Sequence, residues 1–288
     1  MTRITRWFKH YWFELVLVLP MTAYILGFTI VPIMRTIIMG FQDPLTGKFS
    51  FSTYIALFNK PAFMQSIFNT FFIAIIELVI QLILAFWIAL ILEQKFRGRG
   101  LIRSLVLMPM GVPTLVSGVI AMYIFGTSGY LNELLYRFGL KIPIQWLAGG
   151  MRALFVVAVA DTWKVLPTMV LLLLAGLESI PRDIYEAASI DGADKRYTFW
   201  HITIPIVMPT ITMAVLMRAV DVFRIFELPQ VLVGTSTPFV ATFAYQEYSN
   251  NNLNSSGAAS TVLLGMILLF TFLWIKFVDK GRGLGIAN

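Results

Sequence analysis

The chain has 288 residues, 58% of them hydrophobic and only 13% charged, with a net charge of +7. Soluble domains carry about a quarter charged residues, so this balance excludes an ordinary soluble domain and reads as membrane-embedded. The absence of cysteine excludes disulfides, thiolate chemistry and cysteine-based metal sites, and basic residues confined to short turns between apolar runs exclude a nucleic-acid footprint.

In chain order, a basic tail at 1–13 (Arg3, Arg6, Lys9) precedes an apolar run from Leu15 to Met39. That run is too long for the core of a signal peptide and lacks a clean small-x-small cleavage site, so it reads as an uncleaved first span. A helix crosses the roughly 30 Å of hydrocarbon in about 20 residues. The runs long enough lie at 14–39, 66–92, 102–126, 152–178, 205–227 and 257–278. They lack the alternation of a membrane barrel, and a helix satisfies its own backbone in lipid. The expected fold is therefore all-α, a polytopic protein whose permease domain at 14–278 has six transmembrane helices.

Between spans, loop 40–65 has turn chemistry and then a short amphipathic stretch, Ser52 to Phe58. Loop 127–151 reads as a short helix, Tyr130 to Phe138, ended by Gly139. Loop 179–204 is charged. Loop 228–256 is rich in Asn, Ser, Thr and Gly and reads as an exposed turn, and a short tail closes the chain at 279–288. The basic residues divide unevenly. Arg3, Arg6, Lys9, Lys95, Arg97, Arg99, Arg103, Arg182, Lys195, Arg196, Lys276, Lys280 and Arg282 fall on one side, against Lys48, Lys60, Arg137, Lys141 and Arg152 on the other. The positive-inside rule then places both termini and loop 179–204 in the cytoplasm.

Charges inside spans are costly and are paired or line a cavity. Spans two, four and five carry Glu77, Asp161, Lys164, Arg218, Asp221 and Arg224. The spacing lets Asp161 pair with Lys164, and Asp221 with Arg218 or Arg224, on their own helices. At 1.5 Å per residue, Asp161 lies roughly 14 Å and Arg218 roughly 10 Å below the outer surface. The two are therefore expected to face each other or a shared cavity. Glu77 stands alone in span two, with Lys164 as a candidate partner and Gln81 one turn away.

These charges have two readings. One is an ion-pair network that holds the bundle together. The other is a polar lining for a neutral hydroxylated solute, with Glu77, Tyr123, Asp161, Trp163, Lys164, Arg218 and Asp221 as the pathway. An ion-gradient carrier using Glu77 or Asp161 is the alternative function. No G-x-x-x-x-G-K-[ST] motif is present, since Gly47-Lys48 is followed by Phe49, so no P-loop binds ATP. His10 and His201 suggest no metal pattern, and no nucleophile–base arrangement is evident. The chain is not expected to be an enzyme, and no catalytic residue, metal site or cofactor is assigned to it.

The most specific stretch is Glu186 to Pro205, E-A-A-S-I-D-G-A-D-K-R-Y-T-F-W-H-I-T-I-P. Pro181 suits the first turn of a helix, and Ile184, Ala187 and Ala188 form one small apolar face. Asp191-Gly192 marks a sharp turn. A second short helix is expected from about Ala193 to Trp200, before Pro205 and Pro209 punctuate the fifth span. The product is a stiff helix–turn–helix knob.

In order and spacing this stretch resembles the signature loop of the permease subunits of binding-protein-dependent ABC importers: E-A-A, three residues, Gly, nine residues, Ile, one residue, Leu-Pro. Only Ile204 departs, in place of Leu. The elements Asn69-Thr70, G-Y-L-N-E-L from Gly129, Asp161-Thr-Trp-Lys164 with Pro167, L-L-L-L-A-G-L-E-S-I-P from Leu171 and R-A-V-D-V-F-R-I-F-E from Arg218 are similar to the carbohydrate branch. The G-Y-L-N element and long outer loop resemble the first-position permease of maltose, trehalose and glycerol-type systems. The likeness runs from about Pro20 to Val278, with G-T-S-T-P at 234–238 where the family shows a Gly-Gly-Pro turn.

The resemblance implies that Glu186, Ala187, Ala188, Asp191, Gly192, Ile202 and Pro205 form a coupling helix. That helix docks on a separate ATPase, which holds ATP and magnesium. It further implies a second permease as heterodimer partner, two ATP-binding subunits, a soluble substrate-binding protein, a bacterial cytoplasmic membrane, and a small sugar or polyol as cargo.

Overall fold

The computed structural model describes residues 3–139 and 141–279. The side chains of Arg3, Arg6 and Lys9, and all of Lys280 and Arg282, lie outside the described residues, as does nearly all of the 279–288 tail. Among the described residues six helices are long and apolar enough to cross a membrane: His10–Gly40, Pro61–Glu93, Thr114–Arg137, Gly150–Glu178, Lys195–Leu232 and Leu253–Val278. The chain divides into two units, residues 1–59 with 244–261, and residues 60–243 with 262–288.

In the first unit the opening span contains Pro20 and a π-helical turn, Leu26–Ile30. It leads into a hairpin closed by a Gln42–Phe49 bridge. Asp43 Oδ1 accepts the amides of Leu45 and Thr46 there, and the amphipathic stretch forms a helix, Ser52–Phe58. The start of the sixth span packs closely on the end of the first. A Cβ on Gly257 would lie 2.7 Å from the Thr36 carbonyl oxygen, and Asn254 Nδ2 donates to the carbonyls of Met39 and Gln42 at 2.9 and 3.0 Å.

The second unit is built on spans two and four, with span five packed against both. Their buried faces carry Ala74, Ala85 and Ala89 on span two and Ala153 and Ala160 on span four. Small side chains let helices approach where lipid offers no hydrophobic drive. Asn69 and Thr70 tie span two to a returning segment: Asn69 Nδ2 donates to Pro238 O at 2.8 Å, and Val240 N donates to Thr70 Oγ1 at 3.0 Å.

Spans four and five meet tightly at Gly176, where a Cβ would stand 2.8 Å from the Thr210 side chain. Gly176→Ala is expected to cost about 1–3 kcal/mol by overpacking, read as a lower unfolding temperature. Thr210→Ala in the same chain is expected to recover part of it.

Several sequence expectations need correction. The third span is not one helix over 102–126. Helix Arg99–Leu107 gives way to a tight turn, Met108–Gly111, before helix Thr114–Phe125. Pro113 fixes the break, because the residue before a proline avoids helical backbone and Val112 is extended (φ −84°, ψ 129°), whereas Met108, before Pro109, keeps helical backbone (φ −55°, ψ −42°). The second piece, Thr114–Phe125, is only about 18 Å long. The fifth helix stops at Phe223 rather than 227. Loop 228–256 is not an exposed turn: it holds helices Glu227–Leu232 and Val240–Ser249, with Leu228, Leu232, Phe239 and Phe243 buried. The sixth span already begins at Leu253. The short helix in the loop after span three runs Tyr130–Arg137, and Gly139 follows with φ +98°.

Candidate functional site

Span two places Glu77 and Gln81 one turn apart on its buried face, span four contributes Asp161 and Thr162, and span five contributes Arg218. Glu77 and Gln81 are 0% exposed and Arg218 is 4% exposed. Arg218 is the centre: Nε donates to Gln81 Oε1 at 2.7 Å, and Nη2 donates to Glu77 Oε2 at 3.0 Å and to Asp161 Oδ2. Gln81 Nε2 donates to Thr162 Oγ1 at 3.1 Å. One guanidinium of span five thus meets two carboxylates and an amide from spans two and four, the paired arrangement that buried ions require.

The expected meeting of Asp161 and Arg218 is present, and so is the expected same-helix pair Asp221–Arg224, but Asp161–Lys164 and Arg218–Asp221 are not formed among the described residues. Asp161 bonds to Arg218 rather than to Lys164, which is half-buried and makes no ion pair among the described residues. Arg218 reaches across to spans two and four instead of turning to Asp221. Asp221 pairs with Arg224 at 2.8 Å, outside the cluster. Glu77 is neither alone nor joined to Lys164, since it bonds Arg218. The long Arg218 side chain crosses between buried helices and meets both carboxylates there.

Trp163 and Glu77 border an apolar cleft of about 490 Å³ between spans two and four, with Phe72, Phe155 and Thr162. Tyr123, near the end of helix Thr114–Phe125, is exposed and takes no part in the cluster. Gln81 and Thr162 escaped the sequence-based list. Their only signal was a polar residue one turn from Glu77 and another beside Asp161. The break at 108–113 was also hidden, and non-helical backbone at membrane depth is tolerated only where protein or a water-filled cavity covers it.

The knob is built from helix Arg182–Ile190, a turn, and a second helix feeding span five. Gly192 adopts φ +78°. Its amide donates to Ser189 O at 3.2 Å, and the Ala193 amide donates to Ala188 O at 2.9 Å. This paired bonding is the Schellman closure of a helix, whose left-handed position suits glycine. The second helix is shorter than expected, Lys195–Thr198, and continues as a π-helical turn, Phe199–Thr203. Asp194 caps it, accepting the Tyr197 amide at 2.6 Å.

Tyr185 Oη lies 3.2 Å from Thr203 Oγ1, bonding the first helix of the knob to the entry of span five. Of the three small apolar residues, Ala188 is buried and Ala187 is exposed. Glu186, Asp191, Gly192 and Pro205 are also exposed. A concavity of about 620 Å³ opens beside the turn, lined by Ala188, Asp191, Gly192, Asp194, Tyr197 and Ile202. Nearby, Arg99 bonds Glu178 at the end of span four. The site residues thus fall into two groups: a buried charge cluster, and an outward-facing knob tied to spans four and five.

This pairing of a buried polar bundle with a rigid external knob is that of a transport permease. Residues 81–283 match the family described as binding-protein-dependent transport system inner membrane component, and the chain belongs to that family. It is 32% identical to the trehalose/maltose transport system permease protein MalF of Thermococcus litoralis, over 90% of this chain and 91% of the relative. It is 30% identical to the arabinooligosaccharides transport system permease protein AraP of Bacillus subtilis, over 92% and 88%. It is likewise 30% identical to the sn-glycerol-3-phosphate transport system permease protein UgpA of Agrobacterium fabrum, over 86% and 85%.

Among solved structures, a bacterial ABC transporter involved in the import of the acidic polysaccharide alginate superposes with a TM-score of 0.83 at 21% identity, covering 96% of this chain and all of the other. Membership makes the chain a multi-pass inner-membrane permease subunit, without an ATPase site of its own, and sets aside the ion-gradient carrier.

Proposed function

We propose that the chain is one of two permease subunits of an ATP-driven importer that carries a small sugar or polyol into the cytoplasm. Family membership carries this reading, and the names of the relatives, which concern trehalose, maltose, arabinooligosaccharides and glycerol phosphate, support the cargo class. The partners are a second permease, two ATP-binding subunits that hold ATP and magnesium, and a soluble binding protein on the outer face. Both termini and the knob lie in the cytoplasm, as the distribution of Lys and Arg supports.

In this reading Glu186, Ala187, Ala188, Asp191 and Gly192 meet the ATPase, while Ile202 and Pro205 join the knob to span five. Closure of the ATPase pair moves the knob, and its fixed attachment rocks spans four and five between outward- and inward-facing states. Glu77, Asp161, Trp163, Lys164 and Arg218 line or brace the pathway, with Tyr123 and Asp221 at its flanks. The test is reconstitution with the partner subunits and binding protein in vesicles. ATP-dependent accumulation of a labelled disaccharide, pentose oligosaccharide or glycerol derivative supports the reading. Accumulation that follows an ion gradient and ignores ATP overturns it.

A further inference from the structure

The connection between the second and third spans is short and basic. Lys95 and Arg97 are exposed and make no ion pair among the described residues. Gly98 follows with φ +88° and reverses the chain into helix Arg99–Leu107. That helix is amphipathic. Arg99 and Arg103, one turn apart, share a face, and Arg99 bonds Glu178 of span four. Leu101 and Leu105, one turn apart on the other face, are 68% and 54% exposed.

Unpaired cations therefore stand at the end of an exposed apolar stripe. A lipid surface accommodates both features, because the stripe lies among acyl chains and basic side chains extend to the headgroups. The nearest carboxylate in sequence, Glu93, is half-buried at the end of span two. The loop accordingly presents uncompensated positive charge, which favours an anionic over a zwitterionic headgroup. We infer that this connection binds an anionic phospholipid of the cytoplasmic leaflet, with its phosphate at Lys95 and Arg97 and an acyl chain along Leu101 and Leu105. The inference rests on the orientation given under the proposed function, and on neither the cargo nor the coupling mechanism.

Each basic residue near an anionic membrane surface contributes about 1 kcal/mol, so two together give about a 30-fold preference. The experiment uses the assembled importer in vesicles of equal parts phosphatidylglycerol and phosphatidylcholine, doped with photoactivatable versions of each lipid carrying the same chains. Labelling is mapped to the peptide spanning 95–107. The expected phosphatidylglycerol to phosphatidylcholine ratio is about 30. It falls close to 1 in the Lys95→Gln, Arg97→Gln variant, while Leu101→Ser, Leu105→Ser lowers labelling by both lipids.

An unchanged ratio in the double glutamine variant overturns the proposal. So does crosslinking of Lys95 to an ATP-binding subunit with exclusion of both lipids, which makes the loop a protein contact. Labelling does not require transport, so failure of cargo uptake and failure of lipid binding are read separately.

Discussion

Arg218→Ala is expected to destabilise the permease by about 3–5 kcal/mol, the cost of breaking a buried ion pair and leaving its partners unmatched. The substitution strands Glu77 and Asp161, both buried, and removes the donor to Gln81 Oε1. Glu77 Oε1 already lacks a hydrogen-bond partner among the described residues, and Oε2 accepts from Arg218 at 3.0 Å and from Gln81 at the longer 3.5 Å, so Arg218 supplies the one opposite charge in this contact. The measurement is thermal unfolding of the purified importer in one fixed lipid, beside the yield of assembled complex. Arg218→Met with Glu77→Gln and Asp161→Asn is expected to recover most of the loss, because an uncharged cluster has no unmatched ion. If Arg218→Ala unfolds no earlier than the unaltered protein, the cluster does not brace spans two, four and five.

The same triple variant separates bracing from cargo handling. Recovered stability with normal uptake assigns the cluster to the scaffold. Recovered stability with lost uptake assigns it to the pathway. Single effects of Asp161→Ala and Arg218→Ala on uptake should then combine with a coupling of about 0.5–3 kcal/mol, as for residues in one network.

The spans were legible because lipid imposes long uninterrupted apolar runs, and the meeting of Asp161 and Arg218 followed from equal depth along two such runs. What depth could not provide was rotation about each helix axis. Whether Asp161 turns to Lys164 or to span five depends on packing of Ala74, Ala85 and Ala160, which periodicity in an all-apolar segment does not encode. Gln81 was visible as a polar neighbour one turn from Glu77, but its bonds to the guanidinium and to Thr162 depend on the same rotation. The break before Pro113 lay within unbroken hydropathy, where backbone chemistry overrules composition. In 228–256 the polar residues cluster at 249–256, so averaging concealed the helix at Val240–Ser249 and its buried Phe243. The knob was the most readable part, because proline, glycine and aspartate act locally at caps and turns.

Glu186→Lys is expected to abolish uptake while leaving the permease folded. Glu186 is exposed and takes part in none of the knob's internal bonds, which run through Tyr185, Ala188, Ser189 and Asp194. Its charge is therefore free for a partner, and under the proposed docking on an ATPase its reversal would repel a cation at that contact. Such a mismatch costs several kcal/mol, so uptake should fall by about 100-fold or more. Unfolding of the isolated permease should be unchanged. Gly192→Val acts differently, because a β-branched residue at φ +78° disrupts the helix closure and tilts the second helix against the first. It should weaken both ATPase association and the stability of the knob. Co-purification separates the two: Glu186→Lys loses the ATPase from an intact permease, whereas Gly192→Val loses it with increased proteolysis within 186–200. Uptake that survives Glu186→Lys would show that force enters the spans elsewhere, and would reduce the knob to a folded turn between spans.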